Sequence, residues 1–273
     1  MADASTDFFE HILGRTDTAT DAGAVICEQL SGEQYSSKTY FYCYHGVGHG
    51  VMMAEAYNLH AALDTCDSFP THTGQNGCWQ GVFMENVNGA MFENAGKDLL
   101  LHDDPLSPCN KIEDKYRHEC YVNHAGWLMN VFENSVSEAT RACLDAGNYI
   151  DSCLQSIGLM VTNPTWQAAL APAAGIYGLS YEETAWELCE AYPENYIDQC
   201  VIAGADNIIN FDVGDTARAN AFCRAVDGQF REICFRQVGA NIRNNAVTDL
   251  FIYDSCGTLD GADEQACLQG AGF

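Results

Sequence analysis

The sequence predicts an all-α fold: seven disulfide-stapled helical hairpins forming an α-solenoid or a closed α/α toroid, with residues 1–273 as a single helical-repeat domain. Three observations predict it. Fourteen cysteines recur at regular spacing, other residue types recur in step with them, and turn formers lie between the cysteines of each pair.

The cysteines fall as 27/43, 66/78, 109/120, 143/153, 189/200, 223/234 and 256/267, ten to twelve positions apart in six pairs and sixteen in the first. The number is even and no CxxC occurs, which disfavours zinc ribbons, thioredoxin-type redox sites and c-type haem attachment. The pattern reads as seven local disulfides formed in an oxidising compartment, periplasmic or extracellular. No signal peptide is visible, and Met1 is read as standing in place of a cleaved export sequence.

From pair to pair the base unit is about 34 residues, with extra residues before Cys109 and before Cys189. Ala62, Ala139, Ala185 and Ala219 stand four positions before the first cysteine of their pairs. That spacing puts a small side chain on the cysteine's helical face, where helices can pack closely. Tyr116, Tyr149, Tyr196 and Phe230 stand four before the second cysteine and share its face. Asn88, Asn130, Asn163, Asn210 and Asn244 stand ten after it, where a residue tolerant of the left-handed conformation suits a helix end. Between the cysteines lie Ala146-Gly147-Asn148, Tyr192-Pro193-Glu194 and Asp227-Gly228, all turn formers. Each unit therefore reads as helix A, tight turn, helix B, with Ser180 and Asp215 as helix N-caps. The loop Ser31–Ser37 lengthens the first turn, and the last unit stops at Phe273, so both end units look like capping repeats. Residues 163–179, rich in alanine, glycine and proline, read as an inserted loop or lobe boundary.

Charge narrows the partners. Twelve Lys+Arg against 38 Asp+Glu give a net charge of −26, which argues against nucleic acid and anionic lipid surfaces. No uncharged apolar run of about 20 residues exists, so no membrane span is expected. The oligomeric state is not legible. A small molecule, a glycan or a peptide remains as substrate.

Where one repeat departs from its siblings, function is the reason to look for. The B helices of the fourth, fifth and sixth units are plain, whereas residues 40–130 concentrate polar departures and are read as the functional repeats. Cys43-Tyr44-His45-Gly46-Val47-Gly48-His49-Gly50 sets two histidines four apart on one helical face. Each of the three glycines costs about 1 kcal/mol of helix stability relative to alanine, a load that packing alone would not select. An i,i+4 histidine pair is a common transition-metal chelate. Glu85, a carboxylate in an otherwise apolar run, is the candidate third ligand or general base, and His124 the candidate group near the substrate. Counted from the second cysteine, His49 lies at about 240° round its helix, Glu85 at about 340° and His124 at about 40°, so parallel B helices are not expected to aim them all at one point.

The segments CYHGVGHGVM (43–52) and GCWQGVFMENV (77–87) resemble those of a group of exported bacterial proteins carrying C-x-HGxGHG followed by C-x-x-GVFMEN. The likeness covers about a sixth of the chain. It implies that His45, His49 and Glu85 act as one constellation, and it implies no reaction. Architecture, without the consensus residues, is similar to disulfide-stapled tetratricopeptide and Sel1-like arrays.

The leading expectation is an exported metal-dependent enzyme, an oxidoreductase or hydrolase activating water or an oxygen species. His45, His49 and Glu85 hold a divalent first-row metal, copper or zinc ahead of iron, with Met52 and Met53 favouring copper if a thioether reaches it. A haem held by one of these histidines is the variant form. The rivals are a secreted helical-repeat scaffold for peptide or glycan, and a metal-independent glycan lyase or hydrolase using carboxylate, tyrosine and histidine.

Overall fold

All seven cysteine pairs are joined as the spacing predicts, from Cys27–Cys43 to Cys256–Cys267, and no cysteine is free. The computed structural model describes residues 19–29, 37–93, 99–211, 216–245 and 248–273, so most of the long first turn (31–36) and the N-cap candidate Asp215 lie outside the described residues. Among the described residues all regular structure is helical.

The chain forms two compact units, Met1–Trp127 and Leu128–Phe273. In the first, α1 (Ala19–Glu28) and α2 (Ser37–Ala54) are helices A and B of the first repeat, and α3 (Leu59–Asp67) and α4 (His72–Asn88) those of the second. Helix α5 (Asp114–Val122) is the third B helix, and α6 (Ala125–Val131) follows it. The second unit holds α7 (Val136–Cys143) with α8 (Ile150–Val161), then α9 (Pro164–Ala173), then α10 (Tyr181–Cys189) with α11 (Ile197–Phe211). Its last two hairpins are α12 (Thr216–Ala225) with α13 (Gly228–Asn245), and α14 (Asp249–Cys256) with α15 (Ala262–Gly270).

The recurring residues sit where their spacing suggests. Ala62, Ala139, Ala185 and Ala219 are all fully buried. Tyr149 and Tyr196 end the short 3₁₀ turns 147–149 and 194–196, one residue before α8 and α11 begin, and Gly147 opens the first of these at φ +62°. Asn88 ends α4, Asn130, Asn210 and Asn244 lie in the last two residues of α6, α11 and α13, and Asn163 caps α9. Ser180 forms a full capping box with Glu183 at the start of α10.

Two expectations fail, for reasons of backbone chemistry. Cys109 does not end a helix A: residues 99–113 are irregular, because Pro105 and Pro108 remove N–H donors a helix would need. Side chains hold the segment instead, with Ser107 Oγ donating to Leu99 O at 2.7 Å and Asn110 Nδ2 to Asp104 Oδ1 at 2.8 Å. Residues 163–179 are not a continuous loop. Their first ten residues after Asn163 form α9, because Asn163 accepts from the N–H groups of Thr165 and Trp166 and Pro164 occupies the first turn, where a missing N–H costs nothing.

Within each unit consecutive B helices stack, α2 on α4 in the first and α8, α11, α13 and α15 in the second. Glycine sets the contact. Five positions after the second cysteine stand Gly48, Gly158 and Gly239, and each faces the second cysteine of the hairpin stacked next to it. A methyl at Gly158 would stand 3.2 Å from Cys200 Cα, and at Gly48 or Gly239 it would overlap the carbonyl of Cys78 or Cys267. In the first unit Asp67 ties three helices together, accepting from Trp79 Nε1 at 3.1 Å, Lys115 Nζ at 2.6 Å and Tyr116 OH at 2.7 Å.

The staples span 10 to 16 residues of sequence, so each closes a loop of similar entropy. Replacing Cys189 and Cys200 by alanine is expected to lower the unfolding free energy by about 3 kcal/mol in urea titrations. A loss under about 1 kcal/mol would mean that packing alone holds the hairpin.

Candidate functional site

Helix α2 carries three glycines and still forms, because its neighbour α4 presses against it along most of its length. The two run parallel, Phe41 and His45 lying against Gly77, and Gly48 against Cys78 and Gly81. At the far end of this contact His49 meets Glu85, with Nδ1 and Oε2 at 2.8 Å. The contact accords with the expectation that His49 and Glu85 belong to one constellation, and their different angles round their helices are no obstacle to it. Stacked parallel helices meet through opposite sides, so partners must differ in angle. The second unit repeats this rung: counted from the second cysteine, residue +7 of one B helix bonds to residue +6 of the one before. Asn207 Nδ2 donates to Leu159 O at 3.0 Å, and Asn241 Nδ2 to Asp206 Oδ1.

What the first rung adds is a second histidine. His45 Nε2 faces His49 Nε2 at 3.3 Å. Glu85 is an acceptor on both oxygens, taking the Tyr57 hydroxyl proton on Oε1 at 3.0 Å and the His49 Nδ1 proton on Oε2. With its Nδ1 protonated, His49 presents a bare Nε2 lone pair, directed at the His45 ring. Two imidazole nitrogens about 2.05 Å from one tetrahedral metal would stand about 3.3 Å apart, and about 2.9 Å apart for a square-planar cis pair. The observed separation fits the first. Glu85 therefore holds His49 from its Nδ1 side, across the ring from the facing Nε2 atoms, a carboxylate–histidine arrangement usual behind metal-ligating imidazoles.

Burial, and then the neighbouring His49, holds the half-buried His45 imidazole down to about 4. Its Nδ1 has no hydrogen-bond partner among the described residues, as a bare lone pair while Nε2 keeps its proton or as an N–H once Nε2 becomes a ligand. The side chains of His49 and Glu85 are 25% and 12% exposed, so the pair opens to solvent on one side. Gly46 and Gly50 each follow one of the two histidines, and an added Cβ at either would meet nothing within 4 Å. The three glycines thus divide: Gly48 serves the helix contact, and Gly46 and Gly50 leave space beside the histidines.

Tyr57 is the site residue that sequence reasoning missed. It lies in the turn after α2 at φ +62°, with Ala56 at +51°, and its ring packs on Gly89. Left-handed backbone at a tyrosine has no sequence signature; Gly89, opposite its ring, is the faint one. The structure does not bring His124 to the pair. It lies in the turn between α5 and α6, is 1% exposed, and donates from Nε2 to Pro105 O at 2.7 Å. It stands beside Cys109 and Cys120, whose sulfurs are locked in a disulfide and offer no thiolate. A buried imidazole committed to a backbone carbonyl cannot act near a substrate. His60 is exposed, and His102 packs its ring on Trp127 at 4.9 Å.

Comparison of the chain with protein-family models, with curated proteins and with solved structures gives no match in any of the three.

Two measurements follow from this geometry. Gly81→Ala, which would push a methyl into the His45 carbonyl, is expected to cost about 1–3 kcal/mol in urea unfolding. Gly46→Ala, in open space, is expected to add up to about 1 kcal/mol through helix propensity, and an equal loss in both would refute the division of the glycines.

Burial holds the His124 imidazole down to about 4, against the opposing pull of the Pro105 carbonyl. The folded state thus refuses a proton that the unfolded chain takes up below about pH 6.5, so the stability is fully present above pH 6.5 and lost as pH falls to about 4. His124→Gln, which keeps a donor for Pro105, is expected to flatten the pH profile of unfolding free energy in that window by up to about 3 kcal/mol relative to the parent. An unchanged profile would show that His124 titrates normally.

Proposed function

We propose that His45 and His49 chelate a divalent first-row metal, copper or zinc ahead of iron, and that the chain is an exported metal-dependent enzyme. One observation carries the reading: two Nε2 atoms face each other at 3.3 Å while Glu85 fixes the tautomer of His49 from behind. A structural metal site closes all four positions with protein ligands, whereas catalytic sites keep positions open. Two imidazoles leave at least two positions, and the partial exposure of His49 gives them access to solvent. There a bound metal would lower the pKa of a water or polarise a substrate oxygen. Glu85 holds the His49 proton at Nδ1, and Tyr57 holds Glu85.

The seven disulfides support an oxidising compartment, periplasmic or extracellular, and the resemblance to the exported group with the C-x-HGxGHG segment accords with it. No helix among the described residues is long and apolar enough to cross a membrane.

The hydrogen-bonded series Tyr57–Glu85–His49–His45 favours one second reading, a metal-independent lyase or hydrolase in which His45 is the base. Elemental analysis of protein purified without an affinity tag separates the two. About one metal per chain is expected, and none in His45→Ala/His49→Ala. Protein that comes out metal-free and refuses copper, zinc and iron at micromolar concentration would sink the metal reading and leave the relay.

A further inference from the structure

We infer that the metal of this site is copper(I), with the Met53 thioether as its third ligand. The inference rests on the chelation by His45 and His49 proposed above, and replaces the divalent ion given there by a monovalent one.

Four observations carry it. Met52 and Met53 follow the histidines, and they part company in the fold: Met52 is fully buried, whereas Met53 is 52% exposed. Core packing therefore accounts for Met52 and not for Met53. His45, His49 and Met53 stand at i, i+4 and i+8, one row along α2. Long side chains on a helix run back towards its N-terminus, over the residues three and four before them. For Met53 those residues are Gly50 and His49. Gly50 leaves open space where a side chain would have blocked the thioether from the His49 ring, and Gly46 stands in the same relation to His49.

The donor chemistry then selects the ion. Glu85 bonds to His49 at Nδ1, across the ring from the facing Nε2 atoms, so the hard ligand that would favour zinc or iron stands behind the pair. What remains is two neutral imidazoles and a polarisable thioether, a soft set suited to copper(I). An Nε2–Nε2 separation of 3.3 Å corresponds to an N–metal–N angle of about 110°, within the range of three- and four-coordinate copper(I) and far from the linear two-coordinate form.

The test is competition for copper(I) held by bicinchoninate, with ascorbate as reductant so that the disulfides stay closed, alongside zinc titrations. The parent is expected to take one copper(I) per chain. Met53→Leu, at an exposed position, is expected to lower the ratio of copper(I) to zinc affinity about tenfold or more. It should also remove a sulfur scatterer from the X-ray absorption spectrum. Met84→Leu, the exposed methionine beside Glu85 on α4, should change neither. If Met53→Leu keeps the ratio and the scatterer while His45→Ala/His49→Ala loses copper, the inference is overturned and the histidine site stands. It is overturned in the same way if Met84→Leu gives the loss, or if the parent takes zinc and refuses copper(I). A parent that takes neither ion overturns both readings.

Discussion

The close approach of α2 to α4 is the constraint on which the site depends. Backbone meets backbone at Gly48, Gly77 and Gly81, at distances no side chain would allow. Each glycine sacrifices helix propensity, and the contact between the two helices returns it. Because the contact fixes the register, residue +6 of one B helix comes beside residue +7 of the next where α2 meets α4, α8 meets α11 and α11 meets α13. The position of Glu85 against His49 is thus a property of the repeat before it is a property of the site. Asn207 and Asn241 occupy the same rung in the second unit as plain structural amides.

A site built on such a rung inherits its rigidity. In the second unit the rung joins uncharged amide to carbonyl, or amide to carboxylate. In the first it joins imidazole to carboxylate, and the tautomer of His49 becomes fixed by the same hydrogen bond that helps hold the helices together. His45, one turn earlier, then needs only to face a lone pair already aimed. The candidate site departs from the repeat at few positions: two histidines, one glutamate, and two glycines that no neighbour demands.

The fold was legible where the sequence carries periodic signals. The staples, the fully buried alanines at Ala62 and Ala139, and the cap at Ser180 all follow from spacing and side-chain type. Where single residues break the period, reading fell short. Pro105 and Pro108 abolish a helix A that the cysteines alone suggested, and Asn163-Pro164, which looked like loop punctuation, starts a helix. Within the site, His45, His49 and Glu85 were found by their oddity among siblings and read as one constellation, yet the side from which Glu85 meets His49 was not legible, because stacking direction decides it. His124 showed the same oddity and proved to be a core histidine bonded to a carbonyl; nothing local separates the two outcomes. Tyr57 was invisible, since a positive φ at tyrosine is set by what surrounds it.

The shortness of the staples has a consequence for biosynthesis. Fourteen thiols can in principle combine in on the order of 10⁵ ways, a search that would trap most chains in wrong pairings. Here the correct partner of every cysteine is its nearest neighbour in sequence on one side, within 16 residues, and the next thiol on the other side is at least 22 away. Contact probability falls with loop length, so local closure is favoured each time. A chain threading into an oxidising space N-terminus first would expose Cys43 while Cys27 waits alone, and Cys66 only afterwards. The order of emergence then selects the pairing, and each hairpin is locked before the next one arrives to stack on it.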